Sequence, residues 1–390
     1  LGQDSGHNAL SVRHHGEYMS EPIFVTRPFL PPLADYVALL EQIWENRILT
    51  NGGPFHQSLE RRLAAYLGAA EVSLTTNGAL ALEIAIDACD LSGDVITTPY
   101  SFVATTHSVK RGQLKPIFVD ISPDDFNIDP AAIERAITPT TSAIVAVHCY
   151  GNPCAVANIE TIANKYNLRV IYDAAHAFGV RLNDRSLFEW GDLSTISFHA
   201  TKSYNTFEGG AIVSRTDFFK KKVETLKNFG IASEVDIPLV GTNAKMSELN
   251  AAMGHLQLDH YETIRLMRRA VDERYRKSLA NVEGIHIPDI PRGVASNYSY
   301  FPILVKPEFA VSRDALYDRL KSNGIMSRKY FYPLLSNLPM YAEIDSAAQD
   351  NLPVANRVVK QVLCLPIYPG LSDHDIDRVV DLIAKTGIGH

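Results

Sequence analysis

From residue 93 onward short apolar runs alternate with helical stretches, and this alternation limits the possible folds more than any other feature. DVITTP (94–99), KPIFVD (115–120), SAIVAVHCYG (142–151) and LRVIYD (168–173) read as strands, and IETIANKYN (159–167), between the last two, has helical spacing. Near-continuous apolar strands joined by helical crossovers predict a parallel sheet covered on both faces. STISF (194–198) and AIVS (211–214) extend the same sheet. With both faces covered, reactive groups must collect in loops at the carboxyl ends of the strands.

Helices flank this region. Leu33, Tyr36, Val37, Leu40 and Trp44 form one apolar stripe behind Pro31 and Pro32, and HQSLERRLAAYLG (56–68) ends at Gly68, a left-handed cap. A third helix starts at the cap residue Asn77, with Leu82, Ala85, Ile86 and Cys89 at helical spacing. A long helix from about Lys245 to Leu279 leads to a second α/β unit. That unit comprises GIHIP, YSYFPILV, a helix between Ser312 and Gly324, GIMSRKYFYP as a strand, and a last helix capped at Ser372. At 390 residues the chain exceeds what one core serves. We expect an arm or leader over 1–25, a large domain over 26–260 and a small C-terminal domain over 261–390.

Composition removes several function classes. With 37 basic against 44 acidic residues, a surface built to grip nucleic acid or an anionic membrane is disfavoured. No run approaches the roughly 20 apolar residues of a membrane span. Residues 1–19 lack the apolar centre of a secretory signal, and the native start is expected at Met19. Cys89, Cys149, Cys154 and Cys364 show neither CxxC pairing nor zinc spacing, so we expect reduced, buried thiols and a cytoplasmic protein, with no metal site.

Three segments after strands carry candidate chemistry: Asp173 with His176; Ser197, His199 and Lys202 in SFHATK; and Glu208, Gly209 and Gly210 before AIV. Each alone reads as a cap, a solvated lysine or a turn. Together they are informative. A lysine among small and aromatic residues can be desolvated, which frees its amine for Schiff-base chemistry. A buried aspartate can bond a ring nitrogen, and the Asn77-Gly78-Ala79 helix start can hold an anion. These are the demands of pyridoxal phosphate.

The chain resembles the DegT/DnrJ/EryC1/StrS family of sugar-nucleotide aminotransferases, of aspartate-aminotransferase fold type I. The likeness runs from about Thr26 to the C-terminus through TNGGPF, NGALAL, TPYSFVATTHS, VHCYGNPC, YDAAHAFG, GDLSTISFHATK, FEGGAIV and GTNAKMSELNAA. The resemblance implies an α/β fold, a large domain with a mostly parallel central sheet plus a smaller C-terminal α/β domain. It implies that Lys202 anchors pyridoxal 5′-phosphate, Asp173 bonds the pyridine nitrogen, and His176 lies beside the ring and its phenolic oxygen. Phe102 matches the residue stacked on the ring and Ser197 a phosphate-binding hydroxyl. Gly78 and Ala79 stand where the family has Gly-Thr, so Ala79 lacks a hydroxyl and backbone amides must do more. Asn243 matches a residue reaching the phosphate from the other subunit of a homodimer with shared active sites.

The implied reaction is ping-pong transamination from L-glutamate, leaving 2-oxoglutarate, to a nucleotide-linked keto-sugar. Some relatives carry His at the lysine position and dehydrate instead; here the residue is Lys202. The wording of the motifs most resembles the branch converting dTDP-4-keto-6-deoxyglucose into dTDP-4-amino-4,6-dideoxyglucose for O-antigen or other glycans. A 3-keto sugar or a GDP or UDP carrier is the alternative, with contacts from TNGGPFH or RKYFYP. A cofactor-binding regulator without turnover is the alternative of a different class. His107, His148 and His199 are expected to serve packing or support.

Overall fold

The computed structural model describes residues 21–388; the expected leader through residue 18 and the start at Met19 lie outside the described residues. Two helices come first. α1 (Leu33–Asn46) follows Pro32, and α2 (Pro54–Leu67) has proline in its first turn and Gly68 at φ 62° as its left-handed cap. β1 (Glu71–Thr75) follows, a strand that periodicity does not reveal because it is only five residues long. α3 (Gly78–Ala88) starts at Asn77, whose Oδ1 accepts the Leu80 N–H at 2.8 Å.

The alternation then appears as β2 (Asp94–Thr97), α4 (Val103–Arg111), β3 (Lys115–Phe118), α5 (Pro130–Ala136), β4 (Thr141–Val147), α6 (Val156–Tyr166) and β5 (Arg169–Asp173). The short β6 (Arg181–Leu182) and β7 (Arg185–Ser186) precede β8 (Leu193–Ser197), β9 (Gly210–Ser214) and α7 (Asp217–Leu226). The main sheet has seven strands in the order β1-β9-β8-β5-β4-β2-β3. All run parallel except β9, which is antiparallel to both neighbours. β9 returns from β8 through a loop instead of a crossover helix, which an antiparallel partner allows and a parallel one does not. The expected mostly parallel α/β sheet is therefore present, with β9 as its exception.

α8 (Glu248–Leu279) contributes Ala251 and Tyr261 to the core of the main sheet and Val271, Tyr275 and Leu279 to a second core. Around that second core lie β10 (Ile285–His286), β12 (Phe301–Val305), α9 (Arg313–Ser322), β13 (Val362–Leu365) and α11 (Asp373–Gly387), whereas β11 (Val294–Ala295) packs on the core of the main sheet and α10 (Pro353–Gln361) in a separate cluster with Tyr100, Tyr150 and Phe331. β10, β12 and β13 form an antiparallel sheet, while β11 pairs back onto β6. Ile23 is buried in this second core and pairs with Ile325.

The segment 324–333 is not the strand its sequence suggests. Only Ile325 and Arg328 make isolated pairings, and the third strand is β13. The Tyr330 carbonyl is taken by side chains instead, accepting from the Tyr100 hydroxyl at 3.0 Å and the Tyr150 hydroxyl at 2.5 Å. Those bonds draw the segment across the carboxyl ends of the main sheet. The α1 stripe also departs from simple expectation: Ile43 alone is buried, while Leu33 and Trp44 are 75% and 68% exposed.

A buried charge cluster ties α2 to α7. Glu60 accepts from Lys220 and Lys227 at 3.3 Å each and from the Leu74 N–H at 2.9 Å, and its carboxylate meets His56 at 3.1 Å. Burial alone would raise the Glu60 carboxyl, but the His56 bond and the two lysines hold it far below the usual range. Glu60→Gln leaves the buried Lys227 with Glu224 at 2.8 Å as its one carboxylate partner among the described residues. It is expected to cost about 1.5–3 kcal/mol in urea unfolding, the range for lost hydrogen bonds to a charged group; a loss within experimental error would remove Glu60 from the stability account. Because the folded-state pKa is depressed, this stabilisation is present above the unfolded value of about 4.3 and fades as pH falls below it.

Candidate active site

The odd strand of the sheet creates the site. Ser197 ends β8 opposite Gly210, the first residue of β9, and Gly210 in turn faces Thr75, the end of β1. The loop between β8 and β9 carries Lys202, whose N–H donates to the His199 carbonyl at 2.9 Å. A Cβ on Gly210 would lie 2.6 Å from the Asn77 carbonyl carbon, and one on Gly78 would lie 2.8 Å from the Ser197 Cβ. Glycine at these positions therefore lets the start of α3 sit directly against the ends of β8 and β9. Asn77 occupies the Leu80 amide, whereas the Gly78 and Ala79 amides, in the first helical turn, have no acceptor inside the helix. With the Ser197 hydroxyl beside them, they form an anion cradle at the positive end of α3.

Asp173, at the end of β5, is buried beneath this loop. Its Oδ2 accepts from the Thr105 hydroxyl at 2.8 Å and its Oδ1 from the Ala175 N–H at 3.1 Å. Thr105 in turn shares a 2.8 Å hydrogen bond with Ser101. Burial pushes the Asp173 carboxyl up, partly offset by Thr105, Ala175 and the nearby charge of Lys202. Burial pushes the Lys202 amine down, partly offset by Asp173 and Tyr330. The two side chains feel each other's charge, yet no ion pair joins them. His176 is buried and held neutral, by burial first and by Lys202 second. Its Nδ1 accepts the Tyr150 N–H at 3.3 Å, which leaves the proton on Nε2. Phe331 stacks on the His176 ring at 5.6 Å with an interplanar angle of 3°.

The sequence of residues 34–384 matches the DegT/DnrJ/EryC1/StrS aminotransferase family. The chain is 50% identical to the dTDP-4-amino-4,6-dideoxy-D-glucose transaminase of Shigella dysenteriae, over 94% of this chain and 100% of that protein. It is 49% identical to the Escherichia coli protein of the same name, over 92% of this chain and 97% of the other. The chain belongs to the DegT/DnrJ/EryC1/StrS aminotransferase family. A crystal structure of DesI, solved in the presence of its TDP-sugar product, superposes with a TM-score of 0.91 at 35% identity, covering 95% of this chain and 94% of that one.

As a member of this family the chain is a pyridoxal-phosphate-dependent aminotransferase. The site's own chemistry fits that cofactor. A buried carboxylate and a desolvated amine sit near one another without pairing, and the anion cradle of α3 adjoins the loop that carries the amine. Phe102 caps the N-terminus of α4, three residues before Thr105, and is 59% exposed, free to cover a ring. Ala79 is exposed and offers only its backbone, as the departure from Gly-Thr implies. Asn243 does not join these side chains: it is exposed, and its Oδ1 accepts from Lys245 Nζ at 2.8 Å.

The other histidines occupy supporting positions. His148 is buried on Tyr172 at 4.7 Å, its Nδ1 accepts the Cys154 N–H at 3.0 Å, and burial lowers its pKa to about 3. His107 hydrogen-bonds with the Tyr341 hydroxyl at 2.6 Å, and His199 is an exposed partner of Glu208 at 3.6 Å. All four cysteines are buried and free. The sequence analysis does not single out Thr105, whose bond to Asp173 spans 68 residues of chain. It also missed Tyr300, Tyr150 and Phe331, which come from distant segments and carry no local signal.

Proposed function

We propose that the chain transfers the amino group of L-glutamate to dTDP-4-keto-6-deoxy-D-glucose, forming dTDP-4-amino-4,6-dideoxy-D-glucose and 2-oxoglutarate. The observation carrying this reading is the desolvated Lys202 amine near a buried, unpaired Asp173, in a chain half identical to a transaminase of that name. Pyridoxal phosphate, when bound, supplies an aldehyde that takes up the amino group and a ring that withdraws electrons from the donor α-carbon. Lys202 is proposed to anchor it and, as a free amine, would take a proton from the donor α-carbon at Nζ and deliver it to the carbon that bears the cofactor's aldehyde. Asp173 keeps a proton on the ring nitrogen, with Thr105 and Ala175 fixing its two oxygens. The Gly78 and Ala79 amides and the Ser197 hydroxyl bind the phosphate, Phe102 covers one ring face, and His176 presents its Nε2–H beside the ring. A cofactor-binding regulator without turnover is not favoured, since two relatives at about half identity bear the name of a transaminase.

The test is a panel of nucleotide-linked 4-keto and 3-keto sugars, with mass and NMR of the product. Amination at C4 of the dTDP sugar is expected. Preference for a 3-keto sugar or for a GDP or UDP carrier would overturn the substrate assignment while leaving the aminotransferase class intact. We further propose a homodimer in which Asn243 reaches the partner's phosphate. Supporting this, Leu33, Val37 and Trp44 on α1 and Val235 and Val240 in the loop before Asn243 are all exposed apolar residues. Sedimentation at the mass of one chain would refute it. Free thiols and a nucleotide-activated substrate support a cytoplasmic enzyme that supplies O-antigen or related glycans.

A further inference from the structure

Among the described residues, the Lys202 ε-amine hydrogen-bonds one group, the hydroxyl of Tyr300 at 3.3 Å. Tyr300 lies immediately before β12, 98 residues along the chain from Lys202. The backbone that presents it is tied to both chemical loops. The Asn297 side-chain amide donates to the carbonyls of His176 at 2.8 Å and Phe178 at 3.0 Å, while its oxygen accepts the Ser299 N–H at 3.1 Å. The Ser299 hydroxyl reaches Ser203, the neighbour of Lys202, at 3.3 Å. From α8 the buried Arg268 donates to the carbonyls of Tyr298, Ser299 and Ile367 at 3.4, 3.3 and 3.1 Å, and no carboxylate pairs with it among the described residues. Position 300 is thus held in register with the His176 loop and the Lys202 loop at once.

Burial pushes the Tyr300 phenol further above its already high ordinary value, so it stays protonated and neutral. A neutral hydroxyl can accept a hydrogen bond from an ammonium or donate one to a free amine. It can therefore hold a lysine in both protonation states without gaining or losing a proton itself. We propose that Tyr300 is a positioning residue of the reaction, its hydroxyl holding the freed Lys202 ε-amine in place between the two half-reactions. This rests on the role proposed above for Lys202.

The test is Tyr300→Phe in the full-length protein, which keeps the ring and removes the oxygen. Competitive acetylation of Lys202 across pH in the cofactor-free protein, read by peptide mass spectrometry, gives the amine's midpoint. Asp173, His176, Tyr300 and Tyr330 are the titratable groups that act on it. Losing an acceptor weakens the ammonium more than the amine. The midpoint is expected to fall by about one pH unit. In the loaded enzyme, the single-turnover rate with glutamate is expected to fall about 10- to 100-fold with donor affinity unchanged, the cost of a misplaced reacting group. Should the Phe variant not fold, 3-fluorotyrosine at position 300, a poorer acceptor, is expected to lower the midpoint by a smaller amount. An unmoved midpoint with a rate within about twofold of wild type, in a folded variant, would overturn the proposal. If pyridoxal phosphate fails to protect Lys202 from acetylation in the wild type, the Lys202 reading itself falls, and this proposal with it.

Discussion

Replacing Lys202 with alanine is expected to reduce amino transfer by about 10⁴-fold or more while leaving a folded protein. The change deletes a covalent anchor and a proton carrier together, and no other amine is in position to substitute. Among the described residues, the polar groups that act on Lys202 are Asp173, His176, Tyr330 and the Tyr300 hydroxyl, none of which can form an imine. Folding should survive because the side chain forms no ion pair, and its loop is held by main-chain bonds, among them Phe198 N–H to Gly209 and Thr206 N–H to Phe198. The measurement is turnover with glutamate and the keto-sugar, beside thermal melting and the visible band of the bound cofactor. Activity within about tenfold of wild type would remove Lys202 from the reaction.

Asp173→Asn is expected to slow both half-reactions by about 10²- to 10³-fold, the magnitude seen when one preorganised electrostatic partner is removed. The substitution keeps the shape of the side chain and a carbonyl oxygen for the Ala175 N–H, but it removes the charge that keeps a ring nitrogen protonated. Removing charge from a site this buried also relieves a desolvation cost, since burial raises the Asp173 carboxyl. The variant should therefore melt no lower than wild type while turning over poorly. Stopped-flow measurement of each half-reaction separates the two effects. A defect confined to one half-reaction, or a loss of stability that matches the loss of rate, would mean that Asp173 acts through packing.

Much of this was legible before any coordinates because the deciding features are local. Asn77 and Ser372 as caps follow from side-chain bonds spanning three residues, and Gly68 as a left-handed stop from its backbone N–H and positive φ. The strands from β2 to β5 announced themselves as apolar runs separated by helices. β1 escaped because five residues between two helices carry too little periodicity. The segment 324–333 was misread because its composition is that of a strand, while the hydroxyls of Tyr100 and Tyr150, far back in the chain, take the carbonyl that a neighbouring strand would need. The α1 stripe has the right spacing for burial, yet nothing among the described residues covers Leu33 or Trp44.

The alternation of strands and helices from β2 to β5, the candidates Lys202, Asp173 and His176, and the helix start at Asn77-Gly78-Ala79 are readable in the sequence, since each is carried by residues close together along the chain. Folding adds that Thr105 orients Asp173, that Tyr150 sets the His176 tautomer, and that Tyr300 meets Lys202. Those are hydrogen bonds between segments separated by 26 to 98 residues. Such contacts form only once the sheet has closed, so a local pattern holds no trace of them.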